Sequence, residues 1–138
     1  MTVVLDTNVL AVIISRRSRY YPIWESLRQG NFDVLVTSDI LLEYDEILSD
    51  YLGPEVTQNV LGGLELLPNV TFVVKYYYWN LITHDPDDDK FVDCAIAGSA
   101  NFIVTDDAHF KVLRSIPFPK VPVISSGEFL KMVVEGRL

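Results

Sequence analysis

One cysteine, two histidines and no long apolar run bound this 138-residue chain before any motif is read. With Cys94 alone, no intrachain disulfide can form, which fits a reducing cytoplasmic compartment. So few Cys and His residues make no zinc cluster. Every apolar run falls far short of the roughly 20 residues that a membrane helix needs, so no membrane association is expected. The N-terminus has no basic stretch ahead of its apolar residues and carries Asp6 early, so no secretory signal is expected. Basic residues are also the minority, 11 Lys and Arg against 19 Asp and Glu, for a net charge of −8. That deficit argues against a nucleic-acid partner if the acids are scattered, because phosphate binding uses a basic surface. The objection weakens if several acids gather around a divalent cation, which neutralises them locally. Core-forming residues are plentiful. At 49% hydrophobic, the chain can build one core in a single domain spanning residues 1–138, and general disorder is not expected.

Short apolar runs alternate with helical patterns. Val3–Leu5 reads as a buried parallel strand, β-branched and continuous. A short helix from Asn8 to about Ile14 follows, then a basic loop with Arg16, Arg17 and Arg19. Pro22 suits the first turn of a helix that Gly30 stops. "FDVLVT" is a second strand. Ser38 or Asp39 then caps a helix whose apolar residues Ile40, Leu41, Tyr44, Ile47 and Leu48 keep a helical period. Gly53-Pro54 breaks it, and another helix runs from about Glu55 to Leu67. "TFVV", "FIVT" and "VPVIS" complete about five strands. Helices are expected at about Lys90 to Ser99, near Phe110 to Leu113, and at Gly127 to Val134. This alternation predicts an α/β fold with a mainly parallel central sheet covered on both faces.

In such sheets, sites form beyond the carboxyl ends of the strands, which selects the acids that matter. Asp6 follows the first strand, and Asp106 and Asp107 follow the fourth. Glu43 lies about one turn into the helix after the second. Asp88 and Asp89 open the helix that leads into the fourth strand, and Asp93 shares a face with Asp89. Alone, Asp6 reads equally well as a helix cap, whereas Glu43 reads better as a solvated helix residue and "DPDDD" better as a capped, solvated helix start. His84 and His109 read as polar loop residues. The acids gain weight together, because all fall at one edge of one sheet. Carboxylates confined in one cleft need protons or cations, and oxygen-only ligands suit Mg2+ or Mn2+. One or two such ions activate water for phosphodiester hydrolysis.

Four stretches, "VVLDTNVL", "SDILLEYDEIL", "DPDDDKFVDCAIAGSANFIVTDD" and "VPVISSGEFL", resemble the PIN-domain family, particularly its toxins from toxin–antitoxin pairs. The resemblance implies a three-layer α/β/α fold and a Mg2+- or Mn2+-dependent endoribonuclease acting on RNA. It also implies a protein antitoxin partner and a homodimer or higher oligomer. It assigns metal ligation and catalysis to Asp6, Glu43, Asp88 and Asp107. Asp89 and Asp93 are alternatives for the third acid, and Asp106 is a further candidate ligand standing where the family most often has Gly or Arg. Asn8 and Thr105 resemble residues that orient those acids.

Arg16, Arg17 and Arg19 are candidate phosphate contacts. Tyr76–Trp79 suit core packing or a protein interface better than base stacking. Two competing readings remain. One is a catalytically silent PIN-fold module whose acids serve structural metal or protein contact. The other is a phospho-accepting receiver domain. It is disfavoured because Asp6 has no acidic neighbour and no Lys follows Val123-Ile124.

Overall fold

A computed structural model describes residues 1–83 and 85–138; His84, read above as a polar loop residue, lies outside the described residues. Strands β1 (Thr2–Leu5), β2 (Asp33–Val36), β3 (Val70–Phe72), β4 (Phe102–Val104) and β5 (Val123–Ile124) form one parallel sheet in the order β3-β2-β1-β4-β5. The helices are α1 (Thr7–Ile13), α2 (Tyr21–Arg28), α3 (Ser38–Leu52), α4 (Pro54–Leu66), α5 (Asp89–Ala97) and α6 (Ser126–Val134). Two 3-10 segments, Pro86–Asp88 and Ala108–Ser115, precede α5 and follow β4. Each parallel pair needs a crossover, and the right-handed rule then distributes the crossover helices over both faces.

The centre of the sheet explains the continuous apolar runs. Val3, Val4 and Leu5 of β1 are buried, as are Val34, Leu35 and Val36 of β2 and Ile103 and Val104 of β4. A strand covered on both faces has no solvent side to mark with polar residues. Phe129 of α6 meets Phe32 edge-on, with ring centroids 5.0 Å apart, and closes the core beside α2. Gly53, at φ 80°, lets α3 end and α4 begin without a linker, and Pro54 supplies the first helical position.

The strand order bears on the competing readings. A receiver-type sheet runs 2-1-3-4-5, whereas this one places β1 between β2 and β4. Other expectations shift at the edges. β3 is Val70–Phe72 rather than "TFVV", and β5 has only two residues, because edge strands have fewer pairing partners to extend them. The three tyrosines do not pack into the core. Tyr76, Tyr77 and Tyr78 lie 67–88% exposed after β3. Trp79 is half-buried, stacked near Tyr77 and edge-on to Phe118. No helix among the described residues is long and apolar enough to cross a membrane.

Candidate metal centre

In the order β3-β2-β1-β4-β5, the chain connections leave in opposite directions from β1 and β4, which opens a crevice beyond their carboxyl ends. The register pairs Leu5 with Val104, so Asp6 and Thr105 emerge side by side. The Asp6 N–H donates to the Val104 carbonyl at 3.1 Å, and the Thr105 hydroxyl donates to Asp6 Oδ2 at 2.7 Å. The Asp6 carbonyl accepts the Val9 and Leu10 N–H groups at the start of α1, but its carboxylate makes no capping bond. The carboxylate therefore faces the crevice, free of the capping duty that would have explained it.

Glu43 arrives through its neighbour. Tyr44 is fully buried, and its hydroxyl donates to the Leu5 carbonyl at 2.6 Å, pinning α3 against the end of β1. Burial pushes the Tyr44 phenol well above its ordinary range, so it stays a neutral donor. Glu43 then accepts hydrogen bonds from the Thr7 hydroxyl and, at 2.8 Å, from Lys90 Nζ. Asp88 ends the 3-10 segment Pro86–Asp88, whose first turn is capped by Asp85 accepting the Asp87 N–H at 3.2 Å. Asp107 caps the segment after β4 by accepting the His109 N–H at 2.9 Å. Its own N–H donates to the Thr105 hydroxyl oxygen at 3.0 Å.

These acids feel one another. Burial, then the charges of Asp107, Asp85 and Asp6, push Asp88 up to about 7. Asp6 is raised by burial first. The Thr105 hydroxyl and Thr7 N–H pull it down, and the Asp107 and Glu43 charges add to the rise. Asp88 Oδ2 is buried without a hydrogen-bond partner among the described residues. A buried, unpaired oxygen among like charges is costly unless a cation joins it. The donors are carboxylate oxygens, the set that suits a hard divalent ion.

The structure thus sets Asp6 within range of the Asp107 and Glu43 charges and Asp88 within range of those of Asp107 and Asp6, with the Thr105 hydroxyl bonded to Asp6. The other candidates go elsewhere. Asp89 accepts the Ile82 N–H at 2.8 Å, and Asp93 accepts the Trp79 N–H at 3.1 Å. They share a helix face, as expected, but that face fastens the 79–82 segment to α5. Asp106 accepts the Ser126 N–H and hydroxyl at 3.0 and 2.6 Å, anchoring the start of α6. Asn8 is exposed and makes no side-chain hydrogen bond to these acids among the described residues; its neighbour Thr7 holds Glu43 instead. Arg16, Arg17 and Arg19 are exposed beyond the far end of α1, and Arg19 lies 4.9 Å from the Tyr20 ring centroid. Seven helical residues span about 10 Å, so these arginines do not adjoin Asp6 through the helix itself.

Thr7, Asp85, Lys90 and His109 were not anticipated at the site. Lys90 directly follows the acid run, and His109 stands two residues past Asp107. Each offered only that proximity as a signal, and neither spacing fixes a side-chain direction. His109, read from the sequence as a polar loop residue, has its Nδ1 3.5 Å from Asp88 Oδ2 and from Asp107 Oδ1, and 3.8 Å from Asp85 Oδ2.

Comparison with known proteins bears on the family and the fold. The PIN domain family profile matches residues 2–109. No curated protein matches the chain. Among solved structures, the chain is similar to VapBC2 from Rickettsia felis, crystallised bound to a DNA fragment from its promoter. The TM-score is 0.64 at 21% identity, covering 91% of this chain and 98% of that one. At that identity the likeness speaks for the fold, while the profile spans most of the chain. The chain belongs to the PIN-domain family.

Proposed function

We propose that the chain is a metal-dependent endoribonuclease, working in the cytoplasm as the toxin of a toxin–antitoxin pair. The observation that carries this reading is the mutual charge contact of carboxylates from four segments at the crevice between β1 and β4, with one buried oxygen, Asp88 Oδ2, left without a hydrogen-bond partner among the described residues. Family membership supports a nuclease, and structural likeness to VapBC2, a toxin–antitoxin complex, supports an antitoxin partner.

Asp6, Asp88 and Asp107 would hold Mg2+ or Mn2+, with Glu43 at its side. When bound, the ion supplies a Lewis acid that activates water and stabilises the leaving oxygen. The protein's own part is orientation. Thr105 bonds both the Asp6 carboxylate and the Asp107 N–H, so one hydroxyl sets the spacing of two acids. Thr7 and Lys90 fix Glu43 from two sides. Lys90 offsets the Glu43 charge, and Lys111 and Arg114 line the pocket beside Asp107, where they would meet an RNA phosphate despite the chain's net charge. Arg16, Arg17 and Arg19 would extend that phosphate contact, and a second copy of the chain would complete the assembly.

The test is cleavage of a mixed RNA pool by the purified chain, in chelator and in millimolar Mg2+ or Mn2+. Cleavage that needs metal and vanishes in Asp6→Asn supports the reading. Tight RNA or antitoxin binding without cleavage in any metal would instead favour the silent binding module.

A further inference from the structure

The acid cluster contains a nitrogen donor that an all-oxygen site does not use. His109 Nδ1 stands 3.5 Å from Asp88 Oδ2, 3.5 Å from Asp107 Oδ1 and 3.8 Å from Asp85 Oδ2. One ligand atom from each of Asp85, Asp88 and His109 lies within 4.8 Å of the other two. Asp88 is only 8% exposed, and its Oδ2, the Asp88 atom facing the imidazole, has no hydrogen-bond partner among the described residues.

Two roles would bring an imidazole here. As a protonated counter-ion it would close on one carboxylate, since charge-assisted N–H···O bonds shorten to about 2.7–2.9 Å. The ring instead stands 3.5–3.8 Å from three carboxylates and closes to the short distance on none of them. That arrangement is the one expected of ligands disposed around a shared centre. The backbone prepares it: the His109 N–H is held by Asp107, and Asp85 is held by the Asp87 N–H at the head of the turn that presents Asp88.

Resting on the metal-dependent reading above, we propose that His109 supplies a nitrogen ligand to the ion at Asp88, with Asp85 as a third donor, and that the site takes a divalent first-row transition-metal ion in preference to Mg2+. Mg2+ is small and hard, and binds oxygen while retaining several waters. An imidazole ligand moves preference toward the transition-metal series, where affinity rises from Mn2+ onward.

Mn2+ serves as the probe, with the whole chain at neutral pH. Pulsed electron paramagnetic resonance of bound Mn2+ should show a nitrogen hyperfine coupling. The coupling should vanish in His109→Gln and in His109→Phe. Competition between Mn2+ and Mg2+ should show the Mn2+ preference falling by about tenfold or more in both variants, since even indirect partners of a metal ligand are worth about 10–100-fold in affinity. The ring is 47% exposed, so both variants should unfold in chelator at the parent temperature. Mn2+ bound without nitrogen coupling overturns the proposal and leaves the metal-dependent reading intact. So does coupling that survives in both variants. If no Mn2+ binds the parent, both readings fall.

Discussion

Asp39 and Asp88 both sit at the start of a helix, and the fold treats them in opposite ways. Burial raises both. At Asp39 the Lys75 ammonium, the Thr37 hydroxyl and the Ile40 N–H outweigh burial and hold the carboxyl below its usual range. At Asp88 burial is joined by three carboxylates, and only His109 pulls the other way, so the group rises to about 7. One acid has received donors and a cation from neighbouring elements; the other has received more acids. An acid surrounded by donors contributes to the fold. An acid surrounded by acids is a liability to the metal-free fold, and that liability turns into affinity when a cation arrives.

The sharpest way to break this comparison is to remove charge on each side. Asp88→Asn and Asp6→Asn should each lower metal-dependent RNA cleavage by roughly 10²-fold or more, because a misplaced ion loses both water activation and charge stabilisation. Asp106→Asn and Asp89→Asn, whose parent carboxylates serve backbone and hydroxyl donors elsewhere, should retain most activity per folded molecule. Initial rates normalised to folded protein decide it. Parent-like cleavage by Asp88→Asn together with loss in Asp93→Asn would move the site one turn along α5.

A second test uses metal as the missing partner. At about 100 times its dissociation constant, Mg2+ or Mn2+ should stabilise the parent by about 2.7 kcal/mol, and Asp6→Asn should shrink that gain. Thermal unfolding in chelator and in metal measures both. A parent that gains nothing would show that the carboxylates at the crevice form no metal site.

Removing each cation probes the two regions from the other direction. Lys90→Met leaves Glu43 with only the Thr7 bond in a half-buried setting, 18% and 22% exposed for the two side chains. A loss of about 1–2 kcal/mol is expected from an uncompensated, partly screened charge. Lys75→Met should cost about 1 kcal/mol, because Asp39 is more exposed and keeps its hydroxyl and backbone donors. Denaturant melts compare them, and only Lys90→Met should also alter the response to metal.

The pH dependence carries a sign that separates the regions. The folded-state pKa of Asp88 is raised to about 7 from an ordinary 3.8, so the folded chain holds that proton more tightly than the unfolded chain. The stability linked to it is fully present below about pH 4 and is lost as pH rises through 7. In chelator, Asp88→Asn should melt above the parent at pH 8, with the difference fading toward pH 4. Asp39 behaves oppositely: its lowered pKa contributes stability above its ordinary value that is lost on acidification. The smallest effect is expected from Asn8→Ala. The residue is exposed at the start of α1, so a change within about 0.5 kcal/mol and an unaltered metal response are expected in the same melts.

Much of the fold was legible in the chain. Buried β-branched runs, Gly53-Pro54 and the helical period of α3 mark elements whose causes are local, so they can be read along the backbone. Asp6 and Asp107 were legible as crevice residues for the same reason, since strand ends define the edge of a parallel sheet. Side-chain direction was not. Asp88, Asp89 and Asp93 are one residue type within six positions, yet one faces other acids and two hold backbone N–H groups. That division depends on where the 79–82 segment packs against α5. The tyrosines after β3 look like core in composition, but an edge strand offers no second neighbour to cover them.

The sequence by itself therefore determined the alternation of strands and helices, the parallel sheet, and the concentration of acids at one edge of it, because periodicity and strand ends are properties of the chain. Tertiary structure alone decided which acids remain unpaired, that Lys90 reaches Glu43 and that His109 reaches Asp88. Those contacts join residues from separate elements, and their distances are set by how the elements pack.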